Sequence, residues 1–233
     1  MASQTDKAKK NDKANKSDKM RLREAITNRK RVGYTPVEPD MQLAFIHNNV
    51  DCIGCLSCEI ACKDKNGLAP GPRFRRVQYI EGGTFPEVYA YKVNMSCNHC
   101  KDPACLPTCP TGAIWKRKKD GIVDIDSTLC IGCRRCEAAC PYGAPQYDPE
   151  DQLVKKCNMC VDEIDAGRKP YCVMACLMRV LDIGPMDQLL DGTYETKARG
   201  PNDEIVRQVK DMADPQLTNA SIVFVPHRKG KVG

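Results

Sequence analysis

Sixteen cysteines fall into four sets of four, with none left over. Cys52, Cys55, Cys58 and Cys62 read C-x2-C-x2-C-x3-C, and Cys97, Cys100, Cys105 and Cys109 read C-x2-C-x4-C-x3-C ahead of Pro110. Cys130, Cys133, Cys136 and Cys140 repeat the first spacing ahead of Pro141, and Cys157, Cys160, Cys172 and Cys176 complete the series as C-x2-C-x11-C-x3-C. A disulfide scaffold is a poor account of this pattern. It needs an oxidising compartment and usually a short chain, and cysteines two residues apart pair badly with each other. Structural zinc uses separated C-x2-C pairs, commonly with a histidine, and does not call for three consecutive thiolates plus a distant fourth.

Iron-sulfur chemistry does. Three thiolates at this spacing wrap a tight loop around one cubane, while the fourth sits on a following helical turn that points away and serves a neighbouring cluster, as in the bacterial ferredoxin run. Two such motifs make a two-cluster module, and four make two modules around four 4Fe-4S clusters. The expected fold class is α+β, built of short β-hairpins and short helices. Gly54 and Gly132, each in a Cys-Ile-Gly-Cys run, are expected where backbone approaches a cluster or in an ordinary turn. His99 is unnecessary as a ligand, because sixteen thiolates saturate four cubanes, and reads as a supporting or surface residue.

The rest of the sequence lacks the means to fold in the usual way. Ile, Val, Leu and Phe together number 45 of 233 residues, just under the fraction that fills an ordinary core. The cofactors are expected to replace that core, leaving an apo-protein that is largely unfolded. The net charge of +6 belongs to one segment, since residues 1–31 hold eleven Lys or Arg and four Asp or Glu, and the remainder nets −1. That segment reads as a disordered, solvated extension, with docking to an acidic partner or anionic lipid as the other reading. No apolar run approaches the length of a membrane span, and no apolar signal stretch follows Arg29, Lys30 and Arg31.

Strands are expected at Leu43 to His47, Ile114 to Lys116, Gly121 to Ile125, Val180 to Ile183 and Ile222 to Val225. Lys119-Asp120-Gly121 turns a hairpin. Glu59 to Lys63, Thr108 to Cys109 and Glu137 to Cys140 read as helical turns, and polar connectors as Asp64 to Gly83 and Asp191 to Asp214. Lys116, Arg117, Lys118 and Lys119, with Lys155 and Lys156, read as solvated hairpin edge, the other reading being docking or the raising of cluster potentials. Trp115 reads as hairpin core.

The runs Cys97-Asn98-His99-Cys100-Lys101-Asp102-Pro103-Ala104-Cys105, Cys109-Pro110-Thr111-Gly112-Ala113, Cys130-Ile131-Gly132-Cys133 and Cys140-Pro141-Tyr142-Gly143-Ala144-Pro145-Gln146-Tyr147 resemble the four-cluster electron-transfer subunits of the dimethyl sulfoxide reductase and molybdopterin oxidoreductase family. The resemblance covers roughly Leu43 to Leu190. It implies that the first and fourth motifs share one module, 41–93 plus 149–190, and the second and third another, 94–148, between a basic N-terminal extension, 1–40, and a C-terminal extension, 191–233. It implies clusters on Cys52, Cys55, Cys58 and Cys176; on Cys157, Cys160, Cys172 and Cys62; on Cys97, Cys100, Cys105 and Cys140; and on Cys130, Cys133, Cys136 and Cys109. The first would face a molybdopterin catalytic subunit and the last a membrane anchor on the quinol side. Lys63 and Leu177 stand where such motifs often carry proline.

No phosphate loop, dinucleotide fingerprint or nucleophile-base pair is present, so the expected function is electron relay without catalysis of its own. A free-standing polyferredoxin is the alternative, and a zinc-bearing nucleic-acid module a third reading. Membrane association is expected through partners, either at the cytoplasmic face or after export with a signal-bearing subunit.

Overall fold

The computed structural model describes residues 38–210 and 212–232. The basic segment and its expected disorder lie outside them. At the centre is a three-stranded sheet in the order β8-β1-β9. Strand β1 (Leu43–Asn48) is buried along its whole length, as a strand covered on both faces must be. It pairs antiparallel with β8 (Leu181–Pro185) and parallel with β9 (Ile222–Val225), setting Phe45 beside both Ile183 and Ile222.

Alternation along these strands divides the core. Leu43, Phe45, Leu181, Ile183, Ile222 and Phe224 face a large cluster that also takes in Cys58, Cys62, Cys97, Cys100, Cys157, Cys172 and Cys176. Ala44, Ile46 and Val223 face a small one closed by Leu189 and Ala198, with Leu189 supplied by the helix α5 (Met186–Asp191).

Three two-stranded hairpins complete the β structure. Strand β2 (Arg76–Gly82) pairs with β3 (Tyr89–Met95), β4 (Ile114–Lys116) with β5 (Val123–Ile125), and β6 (Gln146–Asp148) with β7 (Leu153–Lys155). The helices are short: α1 (Ser57–Lys65), α2 (Arg135–Ala139), α3 (Val161–Asp165) and α4 (Tyr171–Met174). Each of the first three begins after a left-handed residue, Leu56, Arg134 or Cys160, with no side-chain cap. Their ends are fixed by the cysteine loops that precede them.

The expected strands are all present, with β5 beginning two residues later than expected and β8 running to Pro185. The connector expected over Asp64 to Gly83 is corrected, since most of its last third is β2. That strand is only partly covered, so it lacks the apolar run that would have announced it. Thr108 lies in a turn with Cys109 just beyond it, and Trp115 is half-buried. The basic run also divides: Lys118 and Lys119 are exposed, but Lys116 is buried and donates to the carbonyls of Cys100 and Lys101 at 3.2 and 2.8 Å.

Candidate metal centres

The cysteines gather in four groups. Cys52, Cys55, Cys58 and Cys176 line one cavity. Cys97, Cys100, Cys105 and Cys140 line a second, and Cys109, Cys130, Cys133 and Cys136 a third. In the fourth group Cys62 lies within electrostatic reach of Cys157, Cys172 and Cys160. Among the described residues no three His, Cys, Asp or Glu side chains converge so as to hold a single metal ion. The thiols instead stand around a volume, as a multi-atom group requires.

Helical geometry distributes them. Cys58 and Cys62 are one turn apart on α1, so they lie on the same face but displaced along the axis by about 5–6 Å. That displacement puts Cys58 at one thiol group and Cys62 at the next. Cys172 on α4, which packs on α1, and Cys176, two residues beyond the end of α4, straddle the same two groups. Cys105 with Cys109, and Cys136 with Cys140, straddle the other two.

Left-handed backbone makes the loops. Gly54 has φ +73° and Gly132 φ +67°. A Cβ on Gly132 would come within 2.3 Å of the Gln152 carbonyl oxygen, and one on Gly54 within 2.6 Å of Tyr79 Oη. Both glycines therefore answer to a protein neighbour as well as to a turn. The Tyr79 hydroxyl also donates to the Gly54 carbonyl.

Donors converge on sulfur. Asn94 Nδ2 lies 3.2 Å from Cys58 Sγ, Thr218 Oγ1 3.1 Å from Cys100 Sγ, and the Met159 amide 3.3 Å from Cys157 Sγ. Ala144 N–H donates to Cys140 Sγ at 3.5 Å. Burial pushes the thiols toward the protonated form, Cys100 to about 12 and Cys136 and Cys157 to about 11. Thiolates in such places therefore need positive charge. Asn98 carries a further sign of fit: it is 1% exposed, lines the second cavity, and leaves both amide atoms without a partner among the described residues. Four thiols around a shared volume, with an idle amide at its wall, suit a 4Fe-4S group.

Besides Lys116, two further buried cations stand among the groups in the described residues. Lys156, 5% exposed, lines the cavity of Cys97 and donates to the Cys157 carbonyl at 3.0 Å. Arg75, 1% exposed, was invisible to motif reasoning because no spacing rule governs it. His99 is fully buried, which corrects the surface reading; its Nδ1 accepts the Val123 N–H at 3.0 Å. Burial, with the charges of Lys156 and Arg75, holds its pKa well below the ordinary histidine value.

A model of the 4Fe-4S dicluster domain matches residues 88–186. The sequence is 47% identical over 156 residues to the B subunit of the anaerobic dimethyl sulfoxide reductase of Escherichia coli (strain K12), covering 64% of this protein and 76% of that one. It is 43% identical over 200 residues to the Haemophilus influenzae protein of the same name, covering 82% and 92%. It is 38% identical over 152 residues to the thiosulfate reductase electron transfer subunit PhsB of Salmonella typhi, covering 63% and 78%.

Proposed function

Because the protein belongs to the family of iron-sulfur B subunits of anaerobic dimethyl sulfoxide reductases, we propose that its cysteines hold four 4Fe-4S clusters as a wire between a quinol-oxidising membrane subunit and a molybdopterin catalytic subunit. It is a 4Fe-4S electron-transfer subunit of a reductase complex and not the catalytic subunit. The ligand sets we propose are Cys52, Cys55, Cys58 and Cys176; Cys62, Cys157, Cys160 and Cys172; Cys97, Cys100, Cys105 and Cys140; and Cys109, Cys130, Cys133 and Cys136. The first two sets make one ferredoxin-like module, 41–93 plus 149–190, and the last two the other, 94–148.

The observation that carries this reading is the pattern of exposure. Only Cys55 and Cys133 are exposed cysteines, and they belong to the first and last sets. The two sets between are buried, apart from a half-buried Cys140. Neighbouring sets adjoin in the same order: Cys58 with Cys172, Cys157 with Cys97, and Cys105 with Cys136 in one apolar cluster. Such an order has two ends and an insulated middle.

When bound, a 4Fe-4S group supplies one-electron redox chemistry. The protein's own residues hold it by thiolate, donate N–H groups to sulfur and exclude water, and these levers set potentials. Around the first set Ile53 and Met178 are 56% and 46% exposed, and beside the last Ile131 is 65% exposed. Apolar surface at each end suits docking, the first end to the catalytic subunit and the last to the membrane subunit. No described helix is long and apolar enough to cross a membrane, so the attachment we propose is through that partner.

An anaerobic preparation should contain about sixteen irons and as many acid-labile sulfides per polypeptide. It should give EPR signals of interacting reduced clusters and arrive with a larger molybdopterin protein. A stable, monodisperse protein that co-purifies with nothing would favour a free carrier, and far less iron would overturn the four-cluster assignment.

A further inference from the structure

Arg75 lies at the junction of the first two thiol groups. Its guanidinium is buried, stacks 4.2 Å from the Phe45 ring centroid, and donates through Nη1 to Asn94 Oδ1 at 3.0 Å. The same Asn94 donates through Nδ2 to Cys58 Sγ, so the cation reaches the first group through one amide. Its Nη2 finds no hydrogen-bond partner among the described residues. The cysteines that face it are Cys172, Cys157, Cys58 and Cys62, and among the described residues no carboxylate forms an ion pair with it.

A buried cation without a counter-ion costs several kcal/mol, and guanidinium does not escape by losing its proton. Something anionic must stand beside it in the working protein. A cubane with four thiolates carries about −2 when oxidised and one charge more when reduced.

We propose that Arg75 is the shared internal counter-ion of the two clusters held by Cys52, Cys55, Cys58 and Cys176 and by Cys62, Cys157, Cys160 and Cys172, a positioning residue that raises both potentials together. This rests on the four-cluster reading. Because it attracts the reduced state of either cluster more than the oxidised, it makes each a better electron acceptor. Lying between both, it keeps the two potentials tied, so that an electron passing from one to the other meets no large step.

The test is a redox titration followed by EPR on the anaerobically purified complex, with iron and sulfide measured in parallel. In Arg75→Gln two of the four transitions should move to lower potential. Each should show at least a tenfold change in the oxidised-to-reduced ratio at fixed ambient potential, about 59 mV for one electron. The cluster of Cys109, Cys130, Cys133 and Cys136 should keep its potential. Arg75→Lys, which keeps the charge, should load fully and keep all four transitions near wild type. Four unchanged potentials in a loaded Arg75→Gln protein would overturn the inference, as would an Arg75→Lys protein displaced as far as the glutamine variant. If Arg75→Gln fails to load iron, Arg75→Lys decides: loaded with wild-type transitions it supports the counter-ion role, and unloaded or displaced it overturns it. A wild-type protein without clusters would instead overturn the function on which this rests.

Discussion

His47 has nowhere to put a second proton. It is fully buried, its Nδ1–H donates to Asn49 Oδ1 at 2.6 Å, and Nε2 has no partner among the described residues. Burial lowers its pKa from 6.5 to about 4; the Asn49 bond opposes the shift and the Arg75 charge adds to it. Between those values the unfolded state binds a proton that the folded state does not, so stability falls as pH falls and is retained above 6.5. The expected loss between pH 7.5 and pH 5 is about 2 kcal/mol. Denaturant midpoints of wild type and His47→Gln over that range check it. Both proteins carry the same acid-labile clusters, so the difference isolates the imidazole, and equal pH slopes would count against the assignment. Residues of this kind escape sequence reading. The sixteen cysteines announce themselves by spacing, but His47, Arg75 and Asn98 act through burial and through neighbours far away in the sequence. The burial of His99 escapes it for the same reason: its position between Cys97 and Cys100 says nothing of the Val123 amide that claims its Nδ1.

At the level of elements, the third cysteine loop is held by a hairpin it does not belong to. Gly132 combines a left-handed φ with a Cβ direction that ends 2.3 Å from the Gln152 carbonyl, between β6 and β7. Gly54 has a similar φ, but its neighbour is the tip of the Tyr79 side chain, which gives way more easily than backbone. Left-handed strain alone costs about 1–3 kcal/mol in a non-glycine residue, so both alanine variants should be destabilised. Gly132→Ala should lose the more, in thermal midpoint and in iron retained, and equal losses would show that backbone approach is not what distinguishes them. The hairpins explain what the sequence concealed. The turn at Asp120-Gly121 is legible because a specific dipeptide makes it. Strand β2 is not, since it turns mostly polar or half-covered residues outward and takes its register from β3, whose Tyr91, Val93 and Met95 point inward. Strands β6 and β7 are three residues each and, unlike the equally short β4 and β5, have no Asp-Gly dipeptide between them to announce a hairpin.

For the whole molecule, the question is what remains when the iron is removed. The face of the central sheet that owes nothing to cysteine buries only Ala44, Ile46, Leu189, Ala198 and Val223 with a few partly covered neighbours. The opposite face packs into a cluster in which seven of the buried side chains are cysteines. The other nineteen buried side chains of that cluster pack together with those cysteines, so the apolar area that stays packed without the clusters, at ~25 cal/mol per Å², is not expected to offset the entropy of ordering so many loops. Charge points the same way. The polypeptide carries +6, and four clusters at about −2 each bring the assembly to about −2, so buried cations such as Arg75 and Lys156 lose their counter-charge when the clusters leave. Anaerobic chelation should therefore abolish the cooperative thermal transition and the near-UV circular dichroism together. Reconstitution with iron and sulfide should restore both along with the EPR signals. A chelated protein that still melts cooperatively would mean that sheet β8-β1-β9 and α5 form a self-sufficient core, and that the clusters are cargo on a finished fold.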